Sequence, residues 1–167
     1  MNIQTINKGT IHLNEQVVIS DPCYELGVWC QIALDNVLEG NYRCFLNIAD
    51  MGKFGKRVAS MEVINLDHID DKKRTYYPED IPIGVDSGTA GIWDYISYKS
   101  SHTNKVDEQW YDRVVMSLSE YGDTVNGNSF VATSGFGDGS YLCWVAKNED
   151  NKIIAIEIEF IGDEEDM

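Results

Sequence analysis

Residues 129–160 read SFVATSGFGDGSYLCWVAKNEDNKIIAIEIEF, and this segment predicts three consecutive antiparallel strands. The run over 129–134 is a strand that enters a glycine-rich loop, 135–139. Strands over 140–147 and 152–161 then form a hairpin around the polar turn 148–151. In the last strand, alternate residues are predicted to be buried on one face: Ile154, Ile156, Ile158 and Phe160.

Upstream of this segment, short β-branched or alternating runs predict further strands, and Gly40-Asn41 predicts a turn. Residues 29–39 fit a strand or a short helix equally well. The upstream strands are predicted over 10–20, 42–50, 57–66 and 81–87.

Helical periodicity is clear in one place, residues 107–121, where apolar side chains form a single stripe. Asp107 is a suitable N-cap and Gly122 a suitable C′ residue. The preceding stretch, 97–106, is polar and is predicted to be a mobile loop. The pattern predicts an α+β protein, mostly antiparallel sheet in a sandwich- or half-barrel-like arrangement, with one main helix at about 107–121.

The chain length of 167 residues fits one domain, predicted over 1–162, followed by an acidic disordered tail at 163–167. A net charge of −15 repels phosphate backbones and argues against general nucleic-acid binding. The stretch 53–74 is the exception, with six bases and four acids. The sequence has neither an apolar run long enough for a membrane span nor a secretory signal, which predicts a cytoplasmic protein.

The loop Ser134-Gly135-Phe136-Gly137-Asp138-Gly139-Ser140-Tyr141 is the strongest local signal for a ligand site. Three glycines between two strands permit positive φ and leave backbone N–H groups able to hold an anion, with Phe136 or Tyr141 as a stacking platform. The alternative is a tight hairpin in which Asp138 bonds its own backbone. The spacing is neither a dinucleotide fingerprint nor a P-loop.

Two other strand ends have a similar mixture of acids, small or hydroxyl residues and aromatics: residues 84–94 and 20–24. If all three ends meet, four aspartates converge, and converging carboxylates need a cation, a shared proton or a cationic ligand. A metal site is therefore one hypothesis, although no metal or other cofactor is expected overall. A Cys23–His nucleophile pair is a further, weaker hypothesis, since the four cysteines otherwise have the pattern of buried, reduced thiols. The four aspartates are Asp21, Asp86, Asp94 and Asp138.

The segments ISDPCY (19–24), GVDSGTAGIWD (84–94) and SGFGDGSY (134–141) resemble, in this order, a family of bacterial and phage proteins of unknown function. The resemblance implies a compact, β-rich, intracellular domain. It implies no reaction and no catalytic residue.

Three functions are compatible with these features, and the leading one is a non-enzymatic binding protein for a small polar or phosphorylated molecule. For a phage-encoded protein, the expected molecule is a nucleotide-type host defence signal, which the protein would sequester. The alternatives are an inhibitor or immunity-type protein that binds a host protein through an acidic surface, and a metal-dependent hydrolase. No bulk nucleic acid and no membrane is expected as a partner, and an oligomer is compatible with the sequence. The candidate ligand-binding residues are Asp21, Tyr24, Arg57, Asp86, Ser87, Thr89, Trp93, Asp94, Ser134, Phe136, Gly137, Asp138, Ser140 and Tyr141.

Overall fold

The structure is a computed structural model that describes residues 2–102, 107–116, 118 and 121–162. Within these residues the chain forms twelve β-strands, two α-helices and two short 3₁₀ turns. The strands are β1 (Asn2–Leu13), β2 (Val17–Ser20), β3 (Ile32–Leu34), β4 (Gly40–Asp50), β5 (Lys56–Asn65), β6 (Tyr76–Pro78), β7 (Ile83–Val85), β8 (Thr89–Asp94), β9 (Gly122–Val125), β10 (Ser129–Thr133), β11 (Gly139–Lys147) and β12 (Ile153–Glu159). The helices are α1 (Tyr95–His102) and α2 (Glu108–Met116), and the 3₁₀ turns are Gly52–Phe54 and Leu66–His68.

The strands form two antiparallel sheets. The large sheet has the order β1-β4-β5-β12-β11-β6, and β7 pairs with the first residues of β11. The small sheet has the order β3-β2-β8-β10-β9. The predicted α+β class, with mostly antiparallel sheet, is confirmed, and the sheets do not close into a barrel.

The main core fills the space between the two sheets. Leu46, Met61 and Ile156 reach it from the large sheet, and Ile19 and Phe130 reach it from the small sheet; all five are fully buried. Two antiparallel sheets with apolar inner faces pack in this way because each sheet must cover its apolar side. The fold is therefore a sandwich.

The small sheet is covered on its outer face by a second cluster that includes Trp93, Tyr98, Trp110 and Val114. The helices α1 and α2 supply the last three of these residues, so every residue of β8 is buried. The sequence placed a glycine-rich strand exit at 88–91, but β8 runs through it. Gly91 is required there because a Cβ would lie 2.3 Å from the Trp93 indole.

The helical region differs from the prediction in two ways. The segment 97–106 was expected to be a loop, whereas α1 covers its first part, and 103–106 lie outside the described residues. The buried Tyr98 explains the difference, because it holds the helix on the sheet together with the partly buried Tyr95. Of the helix predicted over 107–121, the structure has α2, which runs from Glu108 to Met116. Gly122 begins β9 and does not cap a helix.

Asp107 is confirmed as the N-cap of α2. Its Oδ1 accepts hydrogen bonds from the backbone N–H groups of Gln109 at 3.0 Å and Trp110 at 3.3 Å. None of the helices in the described part of the chain is long and apolar enough to cross a membrane.

The strand predictions are correct in most places, with exceptions. The strand predicted over 10–20 is divided between the end of β1 and β2, and the first part of β1 and the short strand β6 were not predicted. Gly40-Asn41 is not a turn but the start of β4. The short strand β9 was not predicted at all. In β12 the predicted residues are all buried, but Ile154 packs with Ala146 on the outer face of the large sheet, away from Ile156. A register shift at Ala146/Lys147 separates the two faces.

Candidate functional site

The carboxylate of Asp21 joins two of the three strand ends singled out in the sequence. Asp21 is fully buried at the end of β2. Its Oδ2 accepts from the backbone N–H groups of Asp86 at 2.8 Å and Ser87 at 2.7 Å. Its Oδ1 accepts from the N–H of Cys23 and from Ser87 Oγ, both at 2.7 Å. With four donors around it, this carboxylate holds the loops 20–24 and 86–88 together rather than facing a ligand.

Hydroxyl groups extend this hydrogen-bonded cluster on both sides of Asp21. Ser87 Oγ lies 2.7 Å from Thr89 Oγ1. The Tyr98 hydroxyl lies 2.6 Å from the carbonyl oxygen of Tyr24 and 3.1 Å from that of Asp21. Helix α1, which was missed in the sequence, therefore positions the turn 21–24.

Tyr24 and Asp86 lie at the solvent edge of this cluster. The Tyr24 hydroxyl donates a hydrogen bond to Asp86 Oδ2. The pKa of the Tyr24 phenol is well above its usual range because of desolvation and this contact with a carboxylate. The phenol is therefore a donor at neutral pH, and Asp86 keeps an exposed position.

The third strand end, loop 134–138, lies directly beside the second. Val85 of β7 pairs with Gly139 of β11. Asp86 and Asp138 are the next residues beyond this pair, where the two strands separate. Further along, the Ser134 N–H donates to the Gly88 carbonyl at 3.0 Å. The three strand ends are thus neighbours in space, and both aspartates are exposed on their rim.

Internal bonds give loop 134–138 a defined shape. Ser134 Oγ and the Tyr141 hydroxyl both donate to the Gly137 carbonyl, at 2.8 and 2.6 Å. Gly137 has φ +113, a conformation that side-chain-bearing residues rarely adopt. The loop projects Phe136 outward with 52% of its surface exposed, while Ser140 is exposed opposite Gly84.

Phe136 meets the basic stretch of the chain at the surface. The guanidinium carbon of Arg57 lies 5.1 Å from the Phe136 ring centroid, and the Phe54 ring meets Phe136 edge-on at 6.2 Å. Arg57 Nε donates to the Phe54 carbonyl at 3.1 Å, and Lys53 Nζ lies 5.1 Å from the Phe54 ring centroid. We call Lys53, Phe54, Arg57 and Phe136 the aromatic–cation surface.

Two members of the aromatic–cation surface, Lys53 and Phe54, were not among the predicted site residues. The sequence did contain a signal for them, since Gly52-Lys53-Phe54-Gly55, like Gly135-Phe136-Gly137, places a phenylalanine in a short segment bounded by glycines. Neither Lys53 nor Arg57 forms an ion pair with any residue that the structure describes.

Trp93 and Asp94 do not belong to a surface site, contrary to the sequence-based expectation. Trp93 is buried, and its Nε1 donates to the Ser20 carbonyl at 2.9 Å, so it offers no face for stacking. Asp94 is buried at the opposite end of β8, where Oδ1 accepts from Asn14 Nδ2 at 3.0 Å. Its Oδ2 lies 3.4 Å from the backbone nitrogen of Ser97 at the start of α1.

The expected convergence of four aspartates is therefore wrong. Val17 pairs with Asp94 and Ser20 pairs with Gly91, which puts Asp94 and Asp21 at different ends of the β2–β8 ladder. Across the described ranges, no group of three or more histidine, cysteine, aspartate or glutamate side chains is arranged to hold a metal ion. The metal-site hypothesis depended on the convergence of the four aspartates, which the structure does not have.

The environment of Cys23 is unsuited to a nucleophile. Burial, followed by the hydrogen bond and charge of Asp21, raises the pKa of the Cys23 thiol to about 12. The His12 ring contacts Asn41 and the His68 ring contacts Asp71. A cavity of about 380 Å³ opens beside Cys23, and its described lining also includes Glu108, Tyr111 and Asp112.

Comparison with known proteins places the chain in a family. The model of the family described as "Protein of unknown function (DUF4241)" matches residues 14–158, and the chain belongs to this family. No curated protein and no solved structure matches it.

Proposed function

We propose that this member of the DUF4241 family is a non-enzymatic binding protein for a small phosphorylated molecule that carries an aromatic ring, with nucleotides as the ligand class. The ligand would bind at the aromatic–cation surface and the adjoining rim of Asp86 and Asp138. The observation that carries the proposal is the position of the Arg57 guanidinium over the exposed Phe136 ring.

Each part of this surface has a matching part in a nucleotide. Phe54 and Phe136 are more than half exposed, and base–aromatic stacking contributes about 1–3 kcal/mol per base. Arg57 and Lys53 supply charge for a phosphate, and the backbone N–H groups of Phe136 and Asp138 donate to no acceptor within the described residues. Asp86 and Asp138 would accept hydrogen bonds from ribose hydroxyls or base amines, because carboxylates do not face phosphate favourably.

The overall charge of the protein supports local rather than long-range recognition. With a net charge of −15, the protein repels anions at a distance, so binding would depend on contacts at the surface itself. Raising salt from low to physiological concentration should then weaken binding little, unlike binding to a polyanion.

Calorimetry with mono-, di- and cyclic nucleotides at two salt concentrations tests the proposal. Arg57→Ala and Phe136→Ala should each weaken binding by about tenfold or more, the equivalent of 1.4 kcal/mol. Arg113→Ala on α2 and Tyr77→Ala on β6 are matched controls, because both residues are exposed and lie on other elements. Absence of heat with every nucleotide, or equal losses in the control variants, would refute the proposal.

In a phage-encoded, cytoplasmic protein, a nucleotide-binding surface without catalytic groups would sequester a host defence signal. A protein of this kind must hold the signal unchanged, so the nucleotide should be recovered intact after long incubation and denaturation of the complex. Recovery of a hydrolysed product would favour an enzyme instead.

A second candidate is a protein inhibitor or immunity-type protein with an acidic contact surface. The observation in its favour is Trp29, which is 87% exposed in the loop between β2 and β3. Tryptophan is enriched among residues that dominate binding energy at protein interfaces. A basic protein captured by the wild type and lost with Trp29→Ala, in the absence of any nucleotide binding, would favour this function.

A further inference from the structure

The first half of β1 is an open edge of the large sheet. β1 occupies the end of the strand order, and its residues pair with β4 on one side. The His12 N–H donates to the Gly127 carbonyl, so the last residues of β1 are covered by the turn before β10. From Asn2 to Asn7 the described part of the chain places no strand on the other side.

This edge lacks most of the features by which proteins prevent strand addition. Natural edge strands are shortened, bulged, or protected by charged residues and proline. The segment Asn2–Asn7 reads NIQTIN and contains no charged residue and no proline. The bulge of β1 lies between Asn7 and Gly9, beyond this segment, and the register with β4 is regular from Asn2 to Asn7.

Side-chain hydrogen bonds hold this edge to the neighbouring strands, and one isoleucine is exposed on it. Thr5 Oγ1 donates to Asn47 Oδ1 at 2.7 Å, and Asn47 Nδ2 donates to Ser60 Oγ at 2.8 Å, which ties β1 to β4 and β5. Ile3 is 41% exposed. Pairing with another strand would satisfy the backbone groups of this edge and cover the isoleucine.

We propose that β1 pairs antiparallel with β1 of a second copy of this chain, forming a symmetric dimer whose two large sheets become one continuous sheet. The twofold axis of this dimer is perpendicular to the sheet, so the inner face of one sheet continues into the inner face of the other. Either Gln4 or Thr5 therefore lies opposite the same residue of the partner, and Ile3 lies opposite either the partner's Thr5 or the partner's Asn7.

The uncharged segment Asn2–Asn7 is the part of this edge where a second copy can pair. Two molecules with a net charge of −15 repel each other over most of their surfaces, but NIQTIN allows approach without facing charges. Peptide-binding edges achieve specificity through side-chain pockets beside the edge. The cavity beside this edge has a volume of about 90 Å³, well below the roughly 300 Å³ at which ligand pockets begin, and the opposite charges of Asp50 and Lys56 lie together in its lining.

Analytical ultracentrifugation over a concentration series tests the dimer. The wild type should shift from 18.9 kDa towards twice that mass as concentration rises. Ile3→Lys introduces a cation into the paired edge and should raise the dimer dissociation constant by about tenfold or more. Ile81→Lys is the matched control, since Ile81 is 46% exposed and precedes β7, which pairs with β11 at the other side of the sheet.

Hydrogen exchange provides a second measurement that does not depend on a variant. Outward-facing amides within Asn2–Asn7 should exchange more slowly at high protein concentration, and exchange at Ile81 should not change. A protein that stays monomeric throughout the series would overturn the proposal. So would a dimer that Ile3→Lys leaves intact, or concentration-dependent protection confined to other strands.

Discussion

The side chains of Glu62 and Glu157 lie opposite each other across the β5–β12 ladder. The Tyr76 hydroxyl donates to Glu62 Oε2 at 2.8 Å. Burial and then the neighbouring charge of Glu62 raise the pKa of Glu157 to about 7, so the pair holds a proton at mildly acidic pH. The fold therefore contains a carboxyl pair whose ionisation opposes stability.

We predict that Glu157→Gln makes the protein more stable at alkaline pH. Because the folded-state pKa lies above the ordinary value of 4.5, the folded protein binds this proton more tightly than the unfolded chain does. The free energy of unfolding therefore falls as pH rises from about 4.5 to about 7, by roughly 3 kcal/mol. Glutamine removes this loss, which urea denaturation of both proteins at pH 4 and pH 8 would measure.

The control for this prediction is Glu149→Gln in the exposed β11–β12 turn, which should leave the pH dependence of wild type unchanged. If the free energies of unfolding of Glu157→Gln and of wild type change with pH in the same way from pH 4 to pH 8, the pKa of Glu157 is not raised in the folded protein.

Replacing Asp21 should destabilise the fold. In the wild type, backbone N–H groups donate to both oxygens of the Asp21 carboxylate. Asp21→Asn replaces one of these acceptor oxygens with an NH₂ group, which faces N–H donors and cannot accept from them. We expect a loss of about 3 kcal/mol, since hydrogen bonds to charged groups contribute about 1.5–3 kcal/mol each and not all are lost. Urea denaturation would measure it against the exposed Asp138→Asn. A change below about 0.5 kcal/mol would mean that Asp21 does not hold the loops together.

Gly137→Val should destabilise loop 134–138 through backbone strain alone. A Cβ at Gly137 would meet no atom within 4 Å, so crowding does not contribute, whereas φ +113 is unfavourable for a β-branched residue. We expect a cost of about 1–3 kcal/mol in thermal denaturation and weaker nucleotide binding. Ser140→Val, at an exposed strand position without positive φ, is the control for the melting temperature. Equal melting and binding of wild type and Gly137→Val would contradict this explanation.

Truncation of Ile156 and of Leu118, which belongs to the apolar stripe predicted over 107–121, should give unequal effects. Ile156 is fully buried between the sheets, so Ile156→Ala should cost about 2–5 kcal/mol. Leu118 is only partly buried against the outer cluster, so Leu118→Ala should cost about 1 kcal/mol. Chemical denaturation of both variants measures the difference, and a larger loss for Leu118→Ala would show that the helical layer contributes more than its burial indicates.

Cys23 should react slowly with thiol reagents in the folded protein. A pKa of about 12 in place of 9.0 reduces the thiolate fraction at neutral pH by roughly a thousandfold, and the greater nucleophilicity of a more basic thiolate recovers part of this loss. We expect alkylation roughly 50-fold slower than in the urea-unfolded chain at equal pH. A native Cys23 that reacts as fast as a free thiol would restore the nucleophile hypothesis.

The sequence was informative where side-chain pattern alone determines structure. Alternation over 42–50 identified the buried face of β4, with Tyr42, Cys44, Leu46 and Ile48 all buried. The paired runs at 140–147 and 152–161 identified the β11–β12 hairpin for the same reason. The neighbourhood of the three strand ends was also expected, because each end combines acids with small or hydroxyl residues.

The sequence was uninformative where a residue's role depends on distant partners. Trp93 and Phe136 both lie near glycines in the sequence, yet helices bury the first, whereas the second stays 52% exposed. Asp21 and Asp138 likewise follow strands, but the first accepts hydrogen bonds from the backbone N–H groups of residues 86 and 87. Helix α1 was missed because its apolar contribution to the core is essentially Tyr98.

The Trp93 and Trp110 rings pack with their centroids 5.0 Å apart, so this part of the protein should give an optical signal of its own. Two indoles this close couple their electronic transitions, so near-ultraviolet circular dichroism should carry a signal specific to the docked state of α2 on β8. Both rings are buried and should emit at short wavelength, whereas the solvated Trp29 should emit at long wavelength and be quenched by iodide. Because the half-buried Trp144 on β11 also emits, a Trp144→Phe variant would let detachment of the helical layer and occupation of the Trp29 loop be followed separately.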